Sequence, residues 1–369
     1  PTTIHWHGIR LPLEMDGVPY VSQAPVLPGE FFDYRFVTPD AGSYWYHPHE
    51  SSAKQLGRGL VGPLIIEERE PSGFRHERTL CLKSWHVDEE GAFTAFSVPR
   101  EAAREGTRGR LSTINGVSLP TLELPAGQVV RLRLINVDST ITYRLNLSSG
   151  EARIYALDGN PIKPRPLGKE YWLGPGMRID LALKVPAIGS EELSLRNGPL
   201  RLSTIKSVAS SEPAAEWPPA LPANPVAEPD LAQAETLRFN FEWAASLASP
   251  ADEAAGRYKY WQINGQAWDI NDKTCADRPI AKLKRDGHYI FVLRNMAQYQ
   301  HPIHLHGLIF KVLDSNRRKI EPYYTDTFLL GKNETARIAF VADNPGVWMF
   351  HCHVIDHMET GLMAAIEIA

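Results

Sequence analysis

Two stretches near opposite ends of the chain carry the same pattern and decide the fold. Residues 29–49 read GEFFDYRFVTPDAGSYWYHPH, and residues 333–353 read NETARIAFVADNPGVWMFHCH. Aligned without a gap from Glu30 and Glu334, both pass through a glycine turn and end in a His-X-His triplet. Such self-similarity predicts two copies of one structural unit.

Two further matches extend the repeat. His5-Trp-His-Gly8 mirrors His304-Leu-His-Gly307, and Ile114-Asn-Gly116 is echoed by Ile263-Asn-Gly265. The middle copy carries no His-X-His triplet. The repeat therefore predicts three related units, with paired histidines only in the first and the third.

The local pattern is that of an all-β chain. Residues 127–136 alternate apolar and polar side chains, with Val130, Leu132 and Leu134 on one face, which predicts a half-buried strand. The 29 prolines and 27 glycines fit many short strands joined by turns.

Composition suggests the domain boundaries. We predict a first domain over residues 1–67, a second over 78–208 and a third over 233–369. Residues 209–232 are rich in proline and alanine, which is typical of an extended linker. Because a β-sandwich needs about 100 residues, we expect the first domain to lack its N-terminal strands.

The composition argues against several classes of function. The 369-residue chain has a net charge of −4, which gives no electrostatic footprint for nucleic acid or an anionic membrane. No apolar run is long enough to span a bilayer. Three cysteines are too few to stabilise a chain of this length through disulfide bonds. Cys81 and Cys275 are either a disulfide-bonded pair or two buried thiols.

Histidine is the unusual residue. Ten of the 13 histidines fall in four short windows: His5 and His7; His47 and His49; His301, His304 and His306; His351, His353 and His357. Histidines two positions apart on a strand share a face, so two pairs on neighbouring strands direct four imidazoles at one point. Two facing domains would supply eight, and imidazole suits copper, zinc, iron and nickel.

Cys352 adds a different kind of ligand. With His301 and His357 it makes the His₂Cys set of a blue-copper electron-transfer site. Because Cys352 lies between His351 and His353, it can face one metal while its neighbours face another. A single His-X-His pair usually has no ligand role and simply lies on the surface or in the core, but four such pairs are present here. Structural zinc sites use four ligands and more cysteines. Neither alternative therefore fits this set.

The four motifs together resemble the signatures of the multicopper oxidases, the laccases and their relatives. They are His5-Trp-His-Gly8, His47-Pro-His49, His301-Pro-Ile-His-Leu-His-Gly307, and His351-Cys-His353 with His357 and Gly361-Leu362. The resemblance implies three cupredoxin-like Greek-key β-sandwich domains, four copper ions, and oxidation of a small-molecule reducing substrate coupled to reduction of O₂ to water. It also implies an extracytoplasmic location, periplasmic or secreted.

The resemblance gives each ligand a place. His301, Cys352 and His357 match the type 1 copper ligands. The trinuclear cluster would lie between the first and third domains, with the type 2 ligands His5 and His304, one type 3 set His7, His47 and His353, and the other type 3 set His49, His306 and His351.

Three further positions follow from the same resemblance. The type 1 axial position falls at Leu362, which cannot coordinate and should raise the copper potential, whereas a slip of one residue would place Met363 there. Asp16 matches a relay aspartate, although an Asp-Gly turn explains it equally well. A second acid falls at Glu359, one position beyond that of bacterial relatives. Asp16, Glu359 and Cys352 are therefore the catalytic candidates.

We expect a laccase-like oxidase of phenols or aromatic amines. A cuprous oxidase is the first alternative, but its methionine-rich segments are not matched by six scattered methionines. A ferroxidase is the second, with Asp356 and Glu359 as candidate carboxylates. A non-catalytic cupredoxin scaffold is less expected, because every motif ligand is present.

Overall fold

Strands dominate the computed structural model, which describes residues 1–190 and 193–369. The prediction of an all-β chain is confirmed, since the described strands assemble into five sheets. The four α-helices of the described residues are short: α1 (Ser52–Gly57), α2 (Pro99–Ala102), α3 (Pro250–Ala254) and α4 (Ile355–Glu359).

The first unit contains one antiparallel sheet. Its strands, in their order across the sheet, are β1 (His5–His7), β2 (Gly42–His47) and β3 (Gly62–Ile66). Tyr44 and Trp45 of β2 are fully buried, so the sheet packs against the rest of the chain instead of standing alone.

The second unit is a two-sheet sandwich with its own apolar core. Its strands are β4 (His76–Trp85), β5 (Leu111–Ile114), β6 (Thr121–Pro125), β7 (Val129–Asn136), β8 (Tyr143–Leu147), β9 (Glu151–Leu157), β10 (Asn160–Pro166), β11 (Tyr171–Leu173), β12 (Arg178–Lys184), β13 (Leu193–Asn197) and β14 (Leu200–Val208). One sheet has the order β10-β9-β12-β7-β4-β5 and the other β11-β8-β13-β14-β6.

The third unit repeats this architecture. Its strands are β15 (Glu235–Trp243), β16 (Trp261–Ile263), β17 (Ala281–Leu283), β18 (His288–Asn295), β19 (His301–Leu305), β20 (Phe310–Ser315), β21 (Tyr323–Thr325), β22 (Thr327–Leu330), β23 (Thr335–Val341), β24 (Gly346–Cys352) and β25 (Met363–Ile368). The sheets have the orders β16-β15-β18-β23-β20-β21 and β17-β25-β24-β19-β22.

The repeated segment of the first unit differs from its partner. β23 is held between β18 and β20, whereas the aligned residues 31–37 form no strand. Phe31 is 85% and Val37 83% exposed, so their apolar side chains meet no second layer of the described structure. The same sequence pattern therefore gives a strand only where neighbouring strands accept its hydrogen bonds.

The prediction that residues 127–136 form a half-buried strand is half wrong. The strand exists as β7, but all eight of its residues are buried. Its polar face carries Arg131 and Arg133, which pair with Asp180 and with carboxylates of Glu68 and Glu77. An alternating strand normally turns its polar face to solvent. Here that face is covered by a buried layer of ion pairs instead.

Residues 209–230 contain neither helix nor strand, in keeping with an extended linker. The segment is nevertheless packed against the second unit. Leu221 is buried in one cluster with Tyr155, and the Arg153 guanidinium lies 4.4 Å from the Trp217 ring centroid.

Candidate metal centre

The paired histidines of the first and third units meet between those units. In the β1–β2 ladder His5 lies opposite His47, and in the β19–β24 ladder His304 lies opposite His351. The two ladders face each other, because the His5 ring stacks on the His306 ring with centroids 3.8 Å apart.

We call the eight histidines gathered here the histidine group: His5, His7, His47, His49, His304, His306, His351 and His353. Seven of them belong to sets of three whose ligand atoms lie within 4.8 Å of one another. The eighth, His353, joins through its Nε2 atom, which lies 3.4 Å from Nε2 of His47. All eight are buried.

A second, smaller set contains the thiol. Sγ of Cys352 lies 3.5 Å from Nδ1 of His301 and 3.6 Å from Nδ1 of His357. The two Nδ1 atoms are 3.1 Å apart. The side chains come from β24, β19 and α4 and have no solvent exposure, so three possible ligand atoms point at one enclosed place.

Two ring nitrogens of the histidine group face each other without a proton between them. The Nδ1–H of His306 donates to Asp16 Oδ2 at 2.9 Å, and that of His351 donates to the Cys352 carbonyl at 2.8 Å. Each neutral ring carries one N–H, so both Nε2 atoms present lone pairs, and these lie 3.0 Å apart. Such a contact is repulsive unless a cation binds both nitrogens.

Other ring nitrogens are buried without a partner among the described residues. Within the histidine group they are Nε2 of His5, Nδ1 of His7, Nε2 of His49, Nε2 of His304 and Nδ1 of His353. In His5 and His304 the opposite nitrogen is held, since each Nδ1–H donates to a backbone carbonyl, of Asp16 and Asp326 respectively, at 2.9 Å. Buried unsatisfied atoms aimed into one cluster are what an ion site requires.

Burial sets the protonation state of the rings. It lowers the pKa of eight ring ligands, whose neighbouring rings or a buried arginine lower it further: His7, His47, His49, His301, His304, His306, His351 and His353. Burial also lowers the pKa of His357 to about 3. Neutral imidazole is the form that binds metals, so the rings are prepared for ligation.

The Cys352 thiol must lose its proton before it can bind a metal. Burial raises the pKa of Cys352, so the thiolate needs a bound cation to persist. Eight imidazoles in one group and a His₂Cys set in the other match the nitrogen and thiolate donors that copper prefers. The residues present therefore fit copper.

Asp16 holds two rings of the histidine group at once. Its Oδ1 lies 3.1 Å from His5 Nδ1 and its Oδ2 accepts from His306 Nδ1–H at 2.9 Å. The sequence alone left a turn and a relay equally open. The buried carboxylate in fact orients a ring from each of the two facing units, as carboxylates commonly do behind metal-binding histidines.

Asp326 and Arg178 also reach the histidine group, and sequence reasoning missed both. Asp326 Oδ1 lies 3.2 Å from His7 Nε2 and 3.4 Å from His304 Nδ1. Arg178 binds the Asp326 carboxylate through both terminal nitrogens, at 2.8 and 2.6 Å. The only signal in the sequence is a charged residue within an apolar strand run, which is typical of many surface positions as well.

Comparisons with known proteins agree with this geometry. Two family models described as multicopper oxidase match residues 1–71 and 249–369. A crystal structure of a multi-copper oxidase from Pseudomonas thermotolerans is 74% identical and superimposes with a TM-score of 0.94, covering 100% of this chain and 86% of that one. The chain belongs to the multicopper oxidases.

Other multicopper oxidases give the same result. A crystal structure from Pseudomonas parafulva is 70% identical with a TM-score of 0.92, covering 99% of this chain and 87% of that one. The multicopper oxidase mco of Staphylococcus epidermidis is 27% identical over 383 residues, which is 100% of this chain and 76% of that protein. The predicted family, cupredoxin-like fold, copper requirement and O₂-dependent oxidoreductase class are confirmed.

Leu362 and Met363, the two candidates for the axial position, have different neighbours. Leu362 shares an apolar cluster with Cys352, and its carbonyl accepts from the Cys352 N–H at 3.0 Å. Met363 instead pairs with His351 in the β24–β25 ladder. Cross-strand partners share a face, so Met363 lies on the side of the histidine group. This placement supports Leu362 as the axial residue.

Glu359 is the last residue of α4, and its side chain reaches the start of α1. Its Oε1 accepts from the Ala53 N–H at 2.8 Å, and burial raises its pKa to about 7. A cavity of about 220 Å³ is lined by Glu359 and His49. The structure thus shows a capping contact, and a role for Glu359 in proton supply stays a prediction.

The remaining candidates lie elsewhere. Cys81 and Cys275 are both free, so they do not form the pair that the sequence left open. His76, His86 and His288 contact groups outside the histidine group. Among the described helices, none has the length and apolar character needed to cross a membrane.

Proposed function

We propose that this multicopper oxidase is laccase-like. It removes single electrons from phenols or aromatic amines at a type 1 copper and passes them to O₂ at a trinuclear copper cluster. Four such electrons, with four protons, convert one O₂ into two waters. The observation that carries the proposal is Cys352, whose Sγ belongs to the smaller set while both chain neighbours, His351 and His353, belong to the histidine group.

Four copper ions follow from this assignment. The type 1 ion would be held by His301, Cys352 and His357, with Leu362 beside it as a side chain that cannot coordinate. The histidine group would hold the other three: His5 and His304 the type 2 ion, His7, His47 and His353 one type 3 ion, and His49, His306 and His351 the other. The close sets His49–His306–His351 and His301–Cys352–His357 support this division.

Copper supplies the one-electron redox change at both centres. The chain itself holds the ligands in place, excludes water and handles protons. Asp16 fixes the Nδ1–H groups of His5 and His306, so each ring directs its Nε2 inward. As a buried carboxylate beside the cluster, Asp16 is also placed to pass protons towards the site where O₂ is reduced.

A segment of the second unit covers the type 1 site. We call residues 97–107, which include α2, the strap. The His357 Nε2–H donates to the Arg104 carbonyl at 2.8 Å, and the Trp261 Nε1–H donates to the Ala102 carbonyl at 2.8 Å. The ring edge of His357 is therefore not exposed, and an arriving donor meets the strap first.

The strap is fastened by Asp356. This carboxylate accepts from Ser97 Oγ–H at 2.5 Å and from the Thr107 N–H at 2.6 Å. We propose that donors dock on the outer side of the strap and that their electrons reach His357 through the hydrogen-bonded Arg104 carbonyl. A donor then needs no metal-binding side chain of the protein, which suits an organic reductant.

The two metal-ion alternatives receive less support. Asp356 is occupied by the strap and Glu359 by α1, so neither candidate carboxylate is free to bind Fe(II) at the surface. Met358 and Met363 are buried in an apolar cluster that includes Trp45, so neither thioether is exposed to Cu(I) at the surface. Both observations favour the phenol reading over a ferroxidase or a cuprous oxidase.

Parallel oxygen-uptake assays test the proposal. The purified protein is loaded with copper, its blue thiolate absorption is recorded, and uptake is measured with a phenol, Fe(II) and Cu(I). We expect kcat/KM to be highest for the phenol, and Cys352→Ser to abolish both the absorption and the uptake. A kcat/KM that is highest for either metal ion would replace the substrate assignment with the matching alternative.

We also propose that the protein works outside the cytoplasm, an assignment supported by its family resemblance. Fractionation of the source cells, followed by detection of the protein in each fraction, tests this location. Recovery in the cytoplasmic fraction would contradict it.

A further inference from the structure

None of the eight rings of the histidine group comes from the second unit. One turn of that unit nevertheless touches the group. Residues 174–178 lead into β12 and carry Gly176 and Arg178. Arg178 is fully buried and contacts both of the other units. Its Nε–H donates to the Ser43 carbonyl of β2 at 3.0 Å, and its two terminal nitrogens grip Asp326 between β21 and β22.

Asp326, held by Arg178, acts together with Thr327 to set which nitrogens of two rings face inward. The His7 Nε2–H donates to Thr327 Oγ at 3.2 Å, and the Thr327 Oγ–H donates in turn to Asp326 Oδ1 at 2.7 Å. Asp326 Oδ1 also lies 3.2 Å from His7 Nε2, so that nitrogen carries the proton. Nδ1 of His7 is then the bare atom, and it has no partner among the described residues. For His304 the Asp326 carbonyl fixes the reverse arrangement, with Nδ1–H outward and Nε2 bare.

Asp326 holds this position because its own geometry is fixed. A lone buried carboxylate could rotate or take up a proton, and either change would remove its hold on His7. The two-pronged contact with Arg178 permits one orientation, and Thr327 Oγ–H adds a third contact at 2.7 Å. Such outer contacts fix ring tautomer and orientation.

Gly176 touches two more rings. Its φ is +83°, and a Cβ there would lie 2.8 Å from His353 Cδ2 and 3.0 Å from His7 Cε1. The Gly176 carbonyl also accepts from the Trp45 Nε1–H at 3.3 Å. The turn therefore forms a wall of the histidine group on which two rings rest.

We propose that Arg178 and Gly176 are positioning residues for the trinuclear copper cluster. Arg178 acts through Asp326 on His7 and His304, and Gly176 acts by contact on His7 and His353. The second unit is then required for the cluster although it supplies no copper ligand. The inference rests on the ligand assignment proposed above and is independent of the donor that the enzyme oxidises.

The competing explanation is that Arg178 merely joins three units as a buried ion pair. Arg131 provides a matched control, because it is equally buried and pairs with Asp180 and Glu68 without touching the histidine group. Removing either guanidinium leaves buried carboxylates unpaired, so both variants should lose stability. Only the Arg178 variant should disturb the trinuclear cluster.

Copper-loaded Arg178→Met, Arg178→Lys, Gly176→Ala and Arg131→Met are compared with the unaltered enzyme. Copper per chain, the blue absorption of the Cys352 site and the paramagnetic resonance signal of the type 2 copper are measured, and kcat and KM are determined with ferrocyanide. The blue absorption serves as an internal control for folding, because no ligand of that site contacts Arg178.

We expect Arg178→Met and Gly176→Ala to keep the blue absorption and to show an altered type 2 signal. Copper affinity of the cluster or kcat should fall by about 10- to 100-fold, with little change in KM for ferrocyanide. Arg178→Lys should keep more of the signal than Arg178→Met, and Arg131→Met should leave the signal unchanged.

Two results would overturn the proposal. An unchanged type 2 signal with kcat within about two-fold in both Arg178→Met and Gly176→Ala would remove the positioning role. Parallel loss of the blue absorption and the type 2 signal in these variants would assign them a purely structural role. Failure of the unaltered enzyme to take up O₂ with any donor would instead count against the proposed function.

Discussion

Replacing Ser97 should loosen the strap over the type 1 site. The Ser97 hydroxyl donates to the buried Asp356 carboxylate at 2.5 Å, and a hydrogen bond to a charged group contributes about 1.5–3 kcal/mol. The Thr107 N–H still holds the other carboxylate oxygen in Ser97→Ala. Opening of the strap should therefore become about 10- to 150-fold more favourable, without loss of the global fold.

Hydrogen exchange measured by mass spectrometry reports this opening directly. We expect faster exchange in Ser97→Ala for peptides covering residues 97–107, together with a higher rate for a bulky phenol than in the unaltered enzyme. Ser249→Ala is the matched control, because Ser249 also donates to a carboxylate, that of Asp252, but lies exposed at α3. Unchanged exchange of the strap in Ser97→Ala would refute its role as a fastened cover.

Three further predictions address the copper sites. Leu362→Met should supply a thioether donor and lower the type 1 potential, and a redox titration of the blue absorption that shows no change would remove Leu362 from the axial position. Asp16→Asn should slow O₂ reduction by about 10- to 100-fold while leaving reduction of the type 1 copper unchanged, measured by stopped flow; equal rates of O₂ reduction would exclude the relay. Removing copper with a chelator should lower Tm by at least about 5 °C in calorimetry and restoring it should reverse the shift, whereas an unchanged Tm would show that the ligands are held without metal.

The ligand set was predictable because it depends on local pattern. His-X-His triplets place two rings on one face of a strand wherever the strand lies. The repeat indicated two copies that carry such triplets, and the family resemblance implied that these copies face each other. The structure brings His5, His306 and the other members of the histidine group together as this reasoning requires. Which side chains share a face of a strand can therefore be predicted without knowing the long-range fold.

The features that the sequence did not indicate all depend on contacts between distant segments. Arg178 and Asp326 are 148 positions apart, and neither has a local pattern that distinguishes it from a surface charge. The strap is a loop of the second unit that becomes relevant only where Arg104 meets His357. The half-burial expected for β7 failed for the same reason, since its partner carboxylates Glu68 and Asp180 come from other strands or loops.

The account depends on copper joining the two ends of the chain beside Cys352. Anomalous diffraction at the copper absorption edge, from crystals of the copper-loaded protein, tests this most directly. We predict four copper peaks, one between His301, Cys352 and His357 and three within the histidine group. Metal peaks on only one of the two sites, or on surface histidines such as His76, would contradict it.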